Sequence, residues 1–324
     1  MAVEKGTASN AGDLLLKLEK FLTTNPELVR TKQAWEVMKD NTIRPYSQEY
    51  NMAATGEWQL ARTFVAKGLD GQDKIYVPMA LYVDARYTYY SLTAWTARSY
   101  DKEKDLNAQF TATNFQNGRS VISLWANPIP YWFVANGRRF IVIAKIAHRY
   151  MSMYCGFFLP LATDEEYTYP LYIGGSHNVV KREYQHQTNH TNGSFWKPTF
   201  SEENNNGGVS YGSCALVTPS GEIIYLGSSD MVMRYSTTFT GVLYPYNWNC
   251  KIGLIEDGEY LIQPIEIMEI HPSPQMLGWL DGVMYVSGYG NSPERELIVG
   301  GKKYLCFPTM VRSGYNDYAA ILME

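Results

Sequence analysis

The chain of 324 residues has 28 Lys and Arg against 32 Asp and Glu, a formal net charge of −4, so it lacks the basic footprint of a nucleic-acid binder. Hydrophobic residues make up 45%, enough for a sizeable core, which excludes a disordered chain. The four cysteines, Cys155, Cys214, Cys250 and Cys306, form no C-x-x-C pair, which argues against a zinc ribbon or redox motif and for reduced core thiols.

The opening MAVEKGTASNAGD has no apolar h-region, and no stretch approaches 18 apolar residues. The expectation is a chain without a secretory leader or membrane span, made and folded in a cytoplasm. One clear helix follows: in NAGDLLLKLEKFLTT, Leu14, Leu15, Leu18, Phe21 and Leu22 share a face. Asn10 supplies a cap and Asp13 a carboxylate in the first turn. Asn25-Pro26-Glu27 marks a second helix start, with a weaker stripe running toward Val37. The apolar face needs a cover, either the sheet of its own chain or a neighbouring subunit.

From about Trp58 the pattern turns to short apolar runs between turn residues. Asp70-Gly71, Asn117-Gly118, Asn136-Gly137, Asp257-Gly258 and Asp281-Gly282 are hairpin signals, because Asn and Gly tolerate positive φ. Pro219-Ser220-Gly221 and Gly300-Gly301 add further turns. The predicted strands between them are KIYVPMALYV, RSVISLWA, RFIVIAKIA, EIIYLGS, GVMYVSG and KKYLCFP. This spacing predicts a mainly β fold, an antiparallel sandwich or barrel-like β domain or domains with a short N-terminal helical segment. Asn136-Gly137 is expected to close a hairpin of YWFVA on RRFIVIAKIA, with Arg138 and Arg139 at an exposed turn end. The expected organisation is a helical segment 1–45, a first β part 46–175, a polar loop or boundary 176–212, and a second β part 213–324.

Candidate chemistry is thin. Gly208-Val209-Ser210-Tyr211-Gly212 fits G-x-S-x-G, with Asp230 or Asp257 and then His271 in hydrolase order. That motif needs a strained strand-to-helix turn above a parallel sheet, and the CALVTPSGEIIYLG that follows has no helical period. His186 and His190 stand at i, i+4 with His177 nearby, but Gln187 fills the glutamate position of a metalloprotease and the segment resists helix formation. Solvated loop histidines are the expectation. Asp164-Glu165-Glu166 offers carboxylates for glycoside hydrolysis, yet reads more simply as a charged loop. Trp125, Trp132, Trp196, Trp248 and Trp279 are candidates for a sugar-stacking platform, with core packing the default for each. No catalytic, cofactor-binding or metal-binding residue is assigned. The 26 tyrosines carry two readings, strand residues or surface covered by a partner.

Taken together, five segments in order, GTASNAGDLLLKLEKFLTT, PYWFVANGRRFIVIAKIAHRYMSMYCGFFLP, TYPLYIGGS, LDGVMYVSGYGN and VRSGYNDYAAILME, resemble a structural protein family of tailed bacteriophages. Their order and the closing R-x-x-x-N-D-Y-A-A (Arg312, Asn316, Asp317, Tyr318, Ala319, Ala320) carry the likeness. The resemblance implies a non-enzymatic virion subunit of the tail, neck or baseplate, assembled in a bacterial host, and no catalytic residue to carry over. It implies other virion proteins as partners and a homo-oligomer of closed symmetry. The alternatives are a receptor- or glycan-binding module of a tail fibre or baseplate and, behind it, a polysaccharide hydrolase.

Overall fold

The computed structural model describes residues 1–38, 57–69, 74–84, 88–95, 97, 99–101, 103, 119–177, 193–197, 213–226, 261–269, 275–310 and 317–324. In chain order the elements are β1 (Ala2–Ala8), α1 (Ala11–Thr24), α2 (Pro26–Arg30), β2 (Glu36–Met38), β3 (Glu57–Ala66), β4 (Ile75–Asp84), β5 (Tyr89–Trp95) and β6 (Arg119–Leu124). Then come β7 (Ile129–Ala135), β8 (Arg139–Ile146), β9 (Arg149–Phe157), β10 (Leu159–Pro160), β11 (Leu171–Gly174), β12 (Cys214–Val217) and β13 (Ile223–Leu226). The chain closes with β14 (Ile262–Glu269), β15 (Gln275–Val286), β16 (Glu296–Val299), β17 (Lys302–Pro308) and β18 (Tyr318–Leu322). Strands hold 57% of the described residues and helices 10%, so the fold is mainly β and its sheets antiparallel, as the turn spacing implies.

Three sheets stack as layers. The central one has seven strands in the order β1-β7-β8-β9-β11-β12-β13; an outer sheet of five runs β2-β3-β4-β5-β6; a second outer sheet of six contains β10-β15-β18-β17-β16, with β14 also on β15. The central sheet is covered on both faces. Phe140, Val142 and Ala144 join the core shared with α1 and the five-stranded sheet, whereas Ile141 and Ile143 join the core shared with the six-stranded sheet. This double burial explains why RFIVIAKI is apolar at nearly every position rather than alternating, since neither face meets water.

The helix forms where the pattern places it. Asn10 Oδ1 accepts from the Asp13 N–H at 2.9 Å, and Asp13 Oδ2 accepts from the Ser9 N–H at 2.7 Å, a reciprocal cap. Leu14, Leu15, Leu18, Phe21 and Leu22 are all buried, with Phe21 against Phe133 of β7. The cover is therefore the chain's own central sheet. The second helix ends at Arg30, and Val37 belongs to β2, so the weak stripe toward Val37 is not helical. The stretch before α1 is a strand, paired with β7 from Ala2↔Ala135 to Ala8↔Ile129.

One expectation about a connection changes. Asp281-Gly282 is not a hairpin turn: it lies inside the 12-residue β15. Pro264 pairs with Met284 but Glu266 pairs with Trp279, so β15 carries extra residues at this point and bulges. The polar stretch 176–212 joins β11 to β12, which are direct neighbours with Gly174 opposite Cys214. The parts before and after that stretch thus share one sheet. Within the stretch, Phe195 and Trp196 are buried in the core between the central and six-stranded sheets.

Candidate functional site

The hairpin at 136–139 is where all three sheets are fastened. Its residues all keep negative φ, so it is not the positive-φ turn that Asn-Gly suggests. Instead the Asn136 side chain shapes it: Oδ1 accepts from the N–H groups of Arg138 (2.8 Å) and Arg139 (3.0 Å), while the Asn136 N–H donates to the Arg139 carbonyl at 3.0 Å. Glycine at 137 answers a close approach, because a Cβ there would stand 2.8 Å from the Gly68 carbonyl oxygen just past β3. The Trp35 indole N–H, ahead of β2, donates to the Asn136 carbonyl at 2.8 Å, and its ring meets Phe140 edge-on at 5.1 Å.

The arginine just past the turn is not exposed. Arg139 is completely buried, among the described residues the only arginine in the set of largest fully buried side chains, and its odd position turns it toward the six-stranded sheet. There Nε donates to Asp281 Oδ2 at 3.1 Å, and the Asn136 amide donates to the same oxygen at 2.7 Å. The β15 bulge makes room for the guanidinium. Gly282, at φ +71°, lets the backbone pass where a Cβ would lie 2.5 Å from Nη2. The expected exposed turn end is thus overturned for Arg139: a half-buried carboxylate partner stands beside the buried charge. Arg138 is half-buried.

A second clasp sits at the opposite end of β8. Lys145 Nζ and the Tyr150 hydroxyl converge on Glu294 Oε1 at 2.6 and 2.5 Å, and Nζ lies 5.3 Å above the Tyr150 ring. Glu294 adopts φ +63°, a left-handed conformation that a non-glycine residue holds only when its surroundings fix it. Burial pushes the Tyr150 hydroxyl up to about 12, helped by the carboxylate. Burial also pushes Glu294 up, but the bonds from Lys145 and Tyr150 outweigh it and hold the carboxyl below its ordinary value. The bond to Glu294 raises Lys145. A third clasp joins Lys197 to buried Asp317 at 2.6 Å. Chemically these groups are mutual partners that lock layers together.

The tyrosines serve the same end. Tyr154 donates to the Phe157 carbonyl and Tyr169 to that of Ala97, each at 2.7 Å; Tyr167 and Tyr172 donate to Val217 and Phe195. Among the described residues with an assigned burial Tyr289 is the one tyrosine that is largely exposed, and these tyrosines mostly pin the interior.

The other sequence candidates scatter. Ser210, Asp230, Asp257, His271, His186, His190 and Trp248 lie outside the described residues. His177 is buried rather than solvated, and its backbone bridges Val121 of β6. Asp164, Glu165 and Glu166 form an exposed loop as expected, with Glu166 accepting from the Thr163 N–H and hydroxyl at 3.0 Å; the backbone bond is the larger pull that lowers its carboxyl. Trp132 and Trp196 are core residues, whereas Trp125 and Trp279 are half-buried. Among the described residues no group of three or more His, Cys, Asp or Glu could hold a metal ion, and no helix is long and apolar enough to cross a membrane. Sequence reasoning missed Asp281 and Glu294 as anchors; the signal for both was an acid beside a turn residue, which reads as turn chemistry. Comparison with known protein families and with curated proteins gave no match.

Proposed function

We propose that this chain is a non-enzymatic structural subunit of a tailed-bacteriophage virion, placed in the tail or neck region and joined to other virion proteins through protein–protein interfaces. The observation that carries the proposal is a coincidence of sequence and geometry. The five segments that carry the phage resemblance supply the end of β1 and all of α1, the β7–β9 heart of the central sheet, β11, the bulged part of β15, and β18. The Arg139–Asp281 clasp ties two of these segments to each other, and Lys145 and Asp317 are their anchors in the other two clasps. A part that bears load needs a body whose layers do not slide, and the Arg139–Asp281 and Lys145–Glu294 pairs fix the central sheet to its neighbour at both ends of β8.

The test is electron microscopy of phage particles assembled with and without the chain, with antibody raised against the purified protein. The expected result is label at the head–tail junction or along the tail, and defective joining or tail structure when the chain is missing. Complete, infectious particles that carry no label would overturn the proposal.

A further inference from the structure

We infer that the connection 287–295 between β15 and β16 is a strap over the outer apolar face of the six-stranded sheet, with Glu294 as its latch. While the Glu294 carboxylate is charged the strap stays shut; when the charge is lost the strap lifts off Cys306. The backbone supplies the first observation. The Glu294 N–H donates to the Cys306 carbonyl at 2.8 Å and the Cys306 N–H donates to the Arg295 carbonyl at 2.9 Å, so two residues ahead of β16 share one partner on β17. That pattern is a β-bulge whose first residue sits in the left-handed region and is ordinarily glycine. Here it is Glu294, at φ +63°. A side chain at this position strains the backbone, and such strain persists only where the surroundings over-determine it.

What holds Glu294 there belongs to another sheet. Lys145 Nζ of β8 and the Tyr150 hydroxyl of β9 both reach Glu294 Oε1, at 2.6 and 2.5 Å, and Lys5 of β1 adds a favourable charge. The other end of the strap is fastened to Cys306 itself: the Asn291 amide donates to Cys306 Sγ and to the Ser287 carbonyl, each at 3.3 Å. Cys306 belongs to the cluster of Val286, Leu297, Tyr304, Tyr318 and Ala320, whereas its neighbours Leu305 and Phe307 join the core against the central sheet. Its thiol therefore lies on the face turned away from that core, under Asn291, which is itself buried. Between latch and cover stand only Ser292 and Pro293. Once the bonds to Glu294 are lost, the backbone at 294 relaxes to negative φ, which breaks the paired bonds to Cys306 and draws Asn291 away. Among the described residues Lys145, Tyr150 and Lys5 are the groups whose charge or hydrogen bonds act on the carboxylate, and neither lysine nor tyrosine titrates in acid. The carboxyl lies below its ordinary value of about 4.3, so the strap opens as pH falls through the folded value.

The test follows the Cys306 thiol in the full-length protein with an aromatic disulfide reagent that reacts in acid as well as at neutral pH. Peptide mass spectrometry locates the modified cysteine, and Cys155 and Cys214, buried in the two cores on either side of the central sheet, report global opening. Glu294→Ala removes the latch and leaves the strain; Glu294→Gly removes both. At pH 7 Cys306 should react at least about tenfold faster in Glu294→Ala than in the parent, with Cys155 and Cys214 unchanged. Glu294→Gly should react roughly five- to tenfold more slowly than Glu294→Ala, because its closed backbone is unstrained. The parent should approach the Glu294→Ala rate as acid carries it below about 4.3 and through the folded value. Equal Cys306 rates in the parent and Glu294→Ala, a Glu294→Gly chain no slower than Glu294→Ala, or Cys155 and Cys214 accelerating together with Cys306 would overturn the strap.

Discussion

Replacing Asp281 by Ala tests the fastening of the layers most sharply. Two donors lose one oxygen: the Asn136 amide at 2.7 Å and Arg139 Nε at 3.1 Å, the latter on a side chain only 1% exposed. Asp281 itself is 19% exposed, so removing it strands the buried Arg139 charge at a cost toward the lower end of the about 3–5 kcal/mol of a fully buried pair. Against a total stability on the order of 5–15 kcal/mol this is a large fraction. Each kcal/mol lowers the melting temperature by roughly 2–4 °C in a domain of this size class, so a drop on the order of 10 °C is expected. Thermal unfolding followed by tryptophan fluorescence measures it directly. The companion double variant, Asp281→Ala with Arg139→Met, removes the stranded charge and puts an apolar chain of similar length in its place. It should recover most of the loss. A drop of less than about 2 °C for Asp281→Ala, or a double variant no more stable than the single one, would refute the reasoning.

Further expectations follow from the same contacts. Leu15→Ala, on the buried face of α1, should cost about 2–5 kcal/mol, whereas Leu16→Ala, at 47% exposure, should change stability by less than about 0.5 kcal/mol; urea titrations of the two separate a helix covered by its own sheet from one awaiting a partner. Glu294 lies below its ordinary value when folded, so its contribution is present above the unfolded value of about 4.3 and is lost as pH falls through the folded one. Lys145 and Tyr150 are raised, so theirs is complete below about pH 10 and fades as pH climbs, for Tyr150 toward about 12. Melting temperature against pH should therefore fall less steeply at both ends in Glu294→Gln than in the parent chain. Ala147 turns the β8–β9 hairpin at φ +55° and is exposed, so Ala147→Gly should raise stability by about 0.5–1 kcal/mol in a denaturant titration.

Much of the β layout is legible in the sequence because strand runs and turn residues are local signals. The six strands read between turn residues are all present, and the α1 face is the one its spacing predicts. The misses share a cause, which is that tertiary contacts override local preference. AVEKGTA has too few apolar residues to look like a strand, yet pairing with β7 holds it extended. The turn at Ala147-His148 carries none of the usual turn residues; the register of β8 on β9 forces it. Asp281-Gly282 has ideal hairpin residues, but it accommodates the guanidinium of a side chain 142 positions away. For the candidate site, the exposed acidic loop could be read off, while the partners of Arg139 and Lys145 could not, since each lies more than a hundred residues from its mate.

The most direct measurement of the central claim is the copy number of this chain in gradient-purified tailed phage particles, by quantitative mass spectrometry against a head-protein standard. A structural subunit should appear in a fixed whole-number stoichiometry that survives high-salt washing. Recovery of the chain in the soluble fraction, at a variable or negligible ratio to particles, would contradict the account.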